Sequence, residues 1–174
     1  MLNIKRTLIT AEEISEKVKE TGKYISEKYK DKPLLMVSIL NGAFIFMADL
    51  CREVTVPCEI AFMAVKSYDG TRSTGNVEIT RDIDKDISKY NVVIAEDIID
   101  SGRTLSEITK ILKERSPLSL EVITLLDKPA RREVPFEADI SLFTIPDAFV
   151  VGYGLDCDEQ FRNLRYIAEC AVEE

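Results

Sequence analysis

Three carboxylates, Glu96, Asp97 and Asp100, stand within one short stretch, and Ser101-Gly102-Arg103-Thr104 follows them directly. Adjacent acids can accept hydrogen bonds from the vicinal hydroxyls of a ribose, or hold Mg²⁺ through water. Asp100 lies between those acids and the Ser-Gly turn, where a general acid/base would stand. Gly102 lets a backbone approach an anion closely, and the Ser101 and Thr104 hydroxyls add donors. Taken singly, Asp97 and Asp100 read as turn formers and Ser101 as a helix cap. Taken together, they are the parts of a site for a phosphorylated sugar.

The elements that must position these groups are legible on either side. Val92 to Ala95 is a short apolar run suited to a buried strand, and Leu105, Ile108, Ile111 and Leu112 recur at helical spacing. A helix beginning at the Ser-Gly turn directs unpaired N–H groups and a positive dipole end at the same place. A strand, an acidic turn and a helix N-terminus make the crevice where open α/β sheets bind ligands.

The run EDIIDSGRTL resembles the phosphoribosyl-pyrophosphate (PRPP) signature of the type I phosphoribosyltransferases. The resemblance implies a PRPP-binding set of Glu96, Asp97, Ser101, Gly102, Arg103 and Thr104, with Asp100 catalytic. It also implies a mainly parallel central sheet flanked by helices, with a small hood built from the N-terminal segment and the late strands.

Composition narrows the alternatives. At 174 residues and 45% hydrophobic content the chain suits one domain, residues 1–174, with a full core. A net charge of −8 gives no basic footprint for nucleic acid or an acidic membrane. No apolar run reaches membrane-spanning length and no signal-peptide core is visible, so a cytoplasmic protein is expected. Four cysteines without CxxC spacing read as reduced thiols. There is no histidine, so acid/base work falls to carboxylates, lysine, tyrosine or cysteine.

In chain order, Thr10 and Glu13 have capping-box spacing. Ile14, Val18, Tyr24, Ile25 and Tyr29 mark an amphipathic helix with a weak point at Gly22. Leu34 to Leu40 suits a strand buried on both faces, and Ala43 to Arg52 a second helix. Val54 to Ala64 reads as a strand interrupted at Pro57, and Asn76 to Thr80 as a short returning strand. Between these two lies the polar loop Ser67 to Gly75. Lys85 to Lys89 reads as a solvated connection. Leu120 to Leu126, Ile140 to Phe143, Phe149 to Tyr153 and Arg165 to Ala168 complete the strands, giving an α/β order.

Four further segments resemble the hypoxanthine-guanine branch of that family. Asn41-Gly42 looks like its pyrophosphate-binding turn, where a strained peptide bond turns backbone N–H groups to the leaving group. Many members carry lysine where this chain has Asn41. Ser67-Tyr68 resembles the branch's lid, and Lys128 the donor to the exocyclic oxygen of a 6-oxopurine. In FVVGYGLDCDEQFR, the resemblance makes Phe149 stack on the purine, the Val150 backbone pair with its edge and Arg162 reach the pyrophosphate. Asp156 would help hold Mg²⁺, joining Glu96 and Asp97 as metal-binding residues.

The activity so implied is purine salvage, with hypoxanthine or guanine and PRPP giving IMP or GMP and pyrophosphate, Mg²⁺ as cofactor and a homodimer or homotetramer as the assembly. A xanthine-preferring transferase and a PRPP-sensing regulator of the same fold stay open. A dinucleotide oxidoreductase does not, because no GxGxxG follows a strand.

Overall fold

The computed structural model describes residues 2–66 and 77–172. It opens with a strand, β1 (Leu2–Ile9), which leads into helix α1 (Ala11–Lys28). The capping box forms: the Thr10 hydroxyl accepts from the Glu13 N–H at 3.2 Å, and the Glu13 carboxylate accepts from the Thr10 N–H at 2.8 Å. Such a cap contributes about 1 kcal/mol. Gly22 is a point of close approach rather than a weak point. A Cβ there would collide with Glu53 at the end of the next helix, so glycine lets the two helices cross.

Strand β2 (Leu34–Leu40) feeds helix α2 (Phe44–Glu53), and strand β3 (Glu59–Lys66) follows. The expected strand from Val54 begins only at Glu59, beyond Pro57, which has no N–H for a ladder. Strand β4 (Glu78–Arg81) returns antiparallel to β3. The connection expected to be solvated contains a short 3-10 turn, Ile87–Lys89, whose Ile87 is buried.

Strand β5 runs from Asn91 to Ile99, longer than its apolar start suggests. Glu96 and Asp97 therefore lie within the strand, which continues to pair with its neighbour through Ile98 and Ile99. Helix α3 (Arg103–Glu114), strand β6 (Ser119–Asp127) and strand β7 (Ile140–Thr144) complete the main sheet. Its order is β4-β3-β2-β5-β6-β7, parallel except at β4. Helices α1 and α2 cover one face and α3 the other, which is why β2 and the start of β5 are almost wholly apolar.

A second, three-stranded antiparallel sheet joins β1 to β9 (Ile167–Val172) and then to β8 (Val150–Val151). Its Val150 and Ile167 pack into the same core as α1 and α2.

Tyr24, expected on the apolar face of α1, is 36% exposed, but its hydroxyl reaches inward. It donates to buried Glu121 of β6 at 2.7 Å, Tyr29 donates to the same carboxylate at 2.6 Å, and Lys28 Nζ stands at 3.0 Å. This cluster fastens α1 to the start of β6, at the end of the sheet away from the carboxyl edge. At that edge β2, β5 and β6 finish at Leu40, Ile99 and Asp127, bringing their following loops side by side.

Candidate active site

The loops after β5 and within its last turn enclose a cavity of about 210 Å³ lined by Glu96, Asp97, Asp100, Ser101, Gly102 and Thr104 among others. A larger cavity of about 470 Å³ lies between α1, α2 and Tyr153. The smaller one combines acids with a helix N-terminus, and it is the one that can do the chemistry.

Glu96 and Asp97 are adjacent and poorly solvated. Burial first, and then the charge of Asp97, hold Glu96 well above the usual carboxylate range. Burial pushes Asp97 up to about 6, against the pull of the Ile98 N–H that it accepts at 2.7 Å. Glu96 Oε2 is buried without a hydrogen-bond partner among the described residues. An acid pair with an orphaned oxygen calls for a donor or a cation from outside the chain.

The turn after β5 is built around Gly102, the N-cap of α3, in the left-handed conformation with φ of 79°. A glycine cap brings no side-chain acceptor of its own, which suits the helix N-terminus to an anion. Ser101 Oγ accepts from the Arg103 N–H at 3.3 Å, and Arg103 Nε donates to Glu133 at 2.6 Å. Thr104 lines the cavity, while the Asp100 side chain is half exposed at its mouth.

Across the edge, the peptide bond between Leu40 and Asn41 is cis, and Asn41 is exposed. Gly42 sits against Asp97 so closely that a Cβ would collide with the carboxylate. Gly154, with φ of 103°, admits the Gly42 carbonyl in the same way from the other side. The turn after β2 is thus wedged between β5 and the segment after β8.

Lys128, immediately after β6, is 6% exposed. Its N–H donates to the Ile99 carbonyl at 3.0 Å, and its Nζ lies 3.3 Å from Asp100 Oδ1. Phe149 is 44% exposed and does not serve as core, whereas Val150 is buried in β8 opposite Glu169. Asp156 pairs with Arg162 at 2.9 Å, and Arg162 also donates to the Gly154 carbonyl at 2.8 Å. The charge of Arg162 is felt at Asp97. Among the described residues no three carboxylates or thiols gather as a metal cage. Ser67 and Tyr68 lie outside the described residues.

Residues 7–158 match the phosphoribosyl transferase domain. The chain belongs to the phosphoribosyltransferase family. A hypoxanthine phosphoribosyltransferase of Salmonella typhimurium is 48% identical over 168 residues, covering 95% of this chain and 94% of that protein. A hypoxanthine-guanine phosphoribosyltransferase of Staphylococcus epidermidis is 47% identical, covering 98% and 96% of the two chains. The crystal structure of a hypoxanthine phosphoribosyltransferase from Staphylococcus aureus superposes with a TM-score of 0.93 at 46% identity, covering 97% and 92%.

Within this phosphoribosyltransferase, sequence reasoning missed two contacts near the carboxyl edge. Tyr153 donates to Asp49 of α2 at 2.6 Å, tying the segment after β8 to the helix that follows Gly42. Arg132 reaches back under Asp100. Arg132 follows Lys128 closely in DKPARR, and that proximity was the one available signal for it.

Proposed function

We propose that the chain transfers the 5-phosphoribosyl group of PRPP to hypoxanthine and guanine, forming IMP or GMP and pyrophosphate in purine salvage, in the cytoplasm and as a homodimer or homotetramer. The observation that carries this reading is the pairing of a buried lysine, Lys128, with Asp100 at 3.3 Å, directly beside a phosphate turn. A buried donor suited to a C6 oxygen, next to a carboxylate suited to take a proton, supports that reading.

Each residue then has a task. The Gly102 turn and Thr104 bind the 5′-phosphate through backbone and hydroxyl donors. Glu96 and Asp97 accept from the ribose hydroxyls, which satisfies the orphaned Glu96 Oε2. Phe149 offers its exposed ring to one face of the purine and the Val150 backbone to its edge. Asp100 takes the proton that the base loses as its ring nitrogen bonds to C1 of the ribose. The Asn41-Gly42 amides and Arg162 face the departing pyrophosphate.

Glu96 and Asp97, both raised by burial, suit a divalent cation: with Asp156 they would hold Mg²⁺, directly or through water, and it would neutralise the leaving phosphates. Mg²⁺ bound there would keep water and substrate oxygens alongside the few protein carboxylates, as it usually does.

The test is product formation from PRPP and Mg²⁺ with hypoxanthine, guanine, xanthine and adenine in turn. IMP and GMP are expected, with EDTA abolishing both. A preference for xanthine or adenine, or full activity in EDTA, would overturn the reading.

A further inference from the structure

Arg132 lies outside the groups assigned to PRPP or the base, yet its guanidinium is enclosed, with the side chain 15% exposed. One nitrogen, Nη1, donates to the Asp100 carbonyl at 2.6 Å and approaches the Ile99 carbonyl at 3.4 Å. The other, Nη2, pairs with Asp127, itself 16% exposed at the end of β6. The methylene stem passes beside Gly102, where a Cβ would stand 3.0 Å from Arg132 Cδ. The residues that follow close the same loop, as the Glu133 and Val134 N–H groups donate to the Ser101 carbonyl at 3.0 and 3.3 Å.

We infer that Arg132 is a positioning residue that holds the main chain of Asp100 against the end of β6, and so fixes where the Asp100 carboxylate meets the base. A planar fork suits two backbone carbonyls at the end of β5 and a carboxylate of β6 at once; a lysine is a point charge on a flexible stem. With the Asp100 carbonyl anchored by Arg132, the side chain starts from a fixed main chain and meets Lys128 at 3.3 Å. Without the fork, residues 99–101 keep their phosphate turn but lose the register between the Asp100 carboxylate and the base. Misplacement of a reacting group by about 1 Å costs ~10²-fold in rate.

The inference rests on Asp100 acting as the base in the proposed reaction, and a double-variant cycle separates the two claims. Turnover, KM values and melting temperature are measured for the unmodified enzyme, Arg132→Gln, Arg132→Lys, Asp100→Asn and the double variant Arg132→Gln/Asp100→Asn. Arg132→Gln should lower kcat by ~10²-fold, with hypoxanthine KM changed by far less. The double variant should be no slower than Asp100→Asn alone, because Arg132 acts through a group already removed. Arg132→Lys should not restore the rate. A purely structural arginine would lower melting temperature in both backgrounds and leave kcat intact well below it. That pattern, or full turnover in Arg132→Lys, overturns the inference. Near-normal turnover in Asp100→Asn would instead remove the base assignment itself. Should Arg132→Gln fail to fold, Asp127→Asn, which frees one arm of the fork, takes its place in the cycle with the same expectations at smaller amplitude.

Discussion

Lys128 Nζ stands 3.3 Å from Asp100 Oδ1, a lysine side chain only 8% exposed against a carboxylate 51% exposed. The asymmetry decides how the pair is used. Asp100 keeps water on its outer side, whereas Lys128 can find few other acceptors, and a bound base would have to present one.

Lys128→Gln should therefore weaken use of hypoxanthine and guanine and narrow the gap to adenine. A protonated lysine has three donors and no acceptor. It accepts a C6 oxygen as partner and meets only another donor in the amino group of adenine. A site built around one such hydrogen bond can reject the mismatched analogue by ~10⁴-fold. Comparing kcat/KM for the three bases checks this, and an unmodified enzyme that uses adenine as readily as hypoxanthine removes Lys128 from the selecting role.

Asp100→Asn should lower turnover by ~10²-fold or more, the usual scale for loss of a general base, with PRPP binding largely kept. Asparagine preserves the main chain that Arg132 holds, so the loss isolates the carboxylate. Pre-steady-state product formation and PRPP titration separate the two effects; unchanged chemistry would reassign the proton to another acceptor.

What could be read from the sequence was local. Leu34 to Leu40 is a strand because seven residues in a row suit burial on both faces, and nothing distant is needed to see it. The capping box of α1 and the Gly102 turn are likewise written in neighbouring residues. Strand β1 was not legible, since its partner β9 lies at the other end of the chain and its alternation is broken by register shifts at Ile4 and Thr7. The end of β5 is hard to read because carboxylates usually leave a buried strand, whereas here Glu96 and Asp97 line a cavity. Arg132 and the Tyr153–Asp49 bond depend on elements that meet only in the folded chain.

Gly42→Ala should lower kcat/KM for PRPP by ~10²-fold or more while costing about 1–3 kcal/mol of stability. The added methyl meets the Asp97 carboxylate, which the Ile98 N–H holds in place at 2.7 Å. The Gly42 carbonyl is in turn packed tightly against Gly154, which leaves the turn little room to move. Either the turn or Asp97 must shift, and both belong to the PRPP site proposed above. Kinetics beside thermal melts give the answer; an alanine variant with normal PRPP kinetics would mean that the turn can move freely.

Glu96 and Asp97 give the unliganded protein a pH dependence of definite sign. Both acids are raised by burial, Asp97 to about 6, while in the unfolded chain they titrate near 4. Between those values the native state binds more protons than the unfolded one. Stability from this pair is therefore fully present below about pH 4 and is lost as pH rises through about 6. Carboxylates such as Glu13, Asp82 and Glu169 are lowered by their partners and slope the other way, so the total curve hides the effect. A difference isolates it. Glu96→Gln abolishes the ionisation at one site and lessens the repulsion at the other. The variant should melt higher than the unmodified protein at pH 8, with the gap closing toward pH 4.5, and should bind PRPP with Mg²⁺ more weakly at pH 8. Conversely, PRPP with Mg²⁺ should bind the unmodified protein less well below about pH 6, where protons compete for the same oxygens. Melting curves and PRPP titrations across pH 4.5 to 8 measure both halves. A pH-independent gap between variant and unmodified protein would mean that this pair is not buried in its charged form.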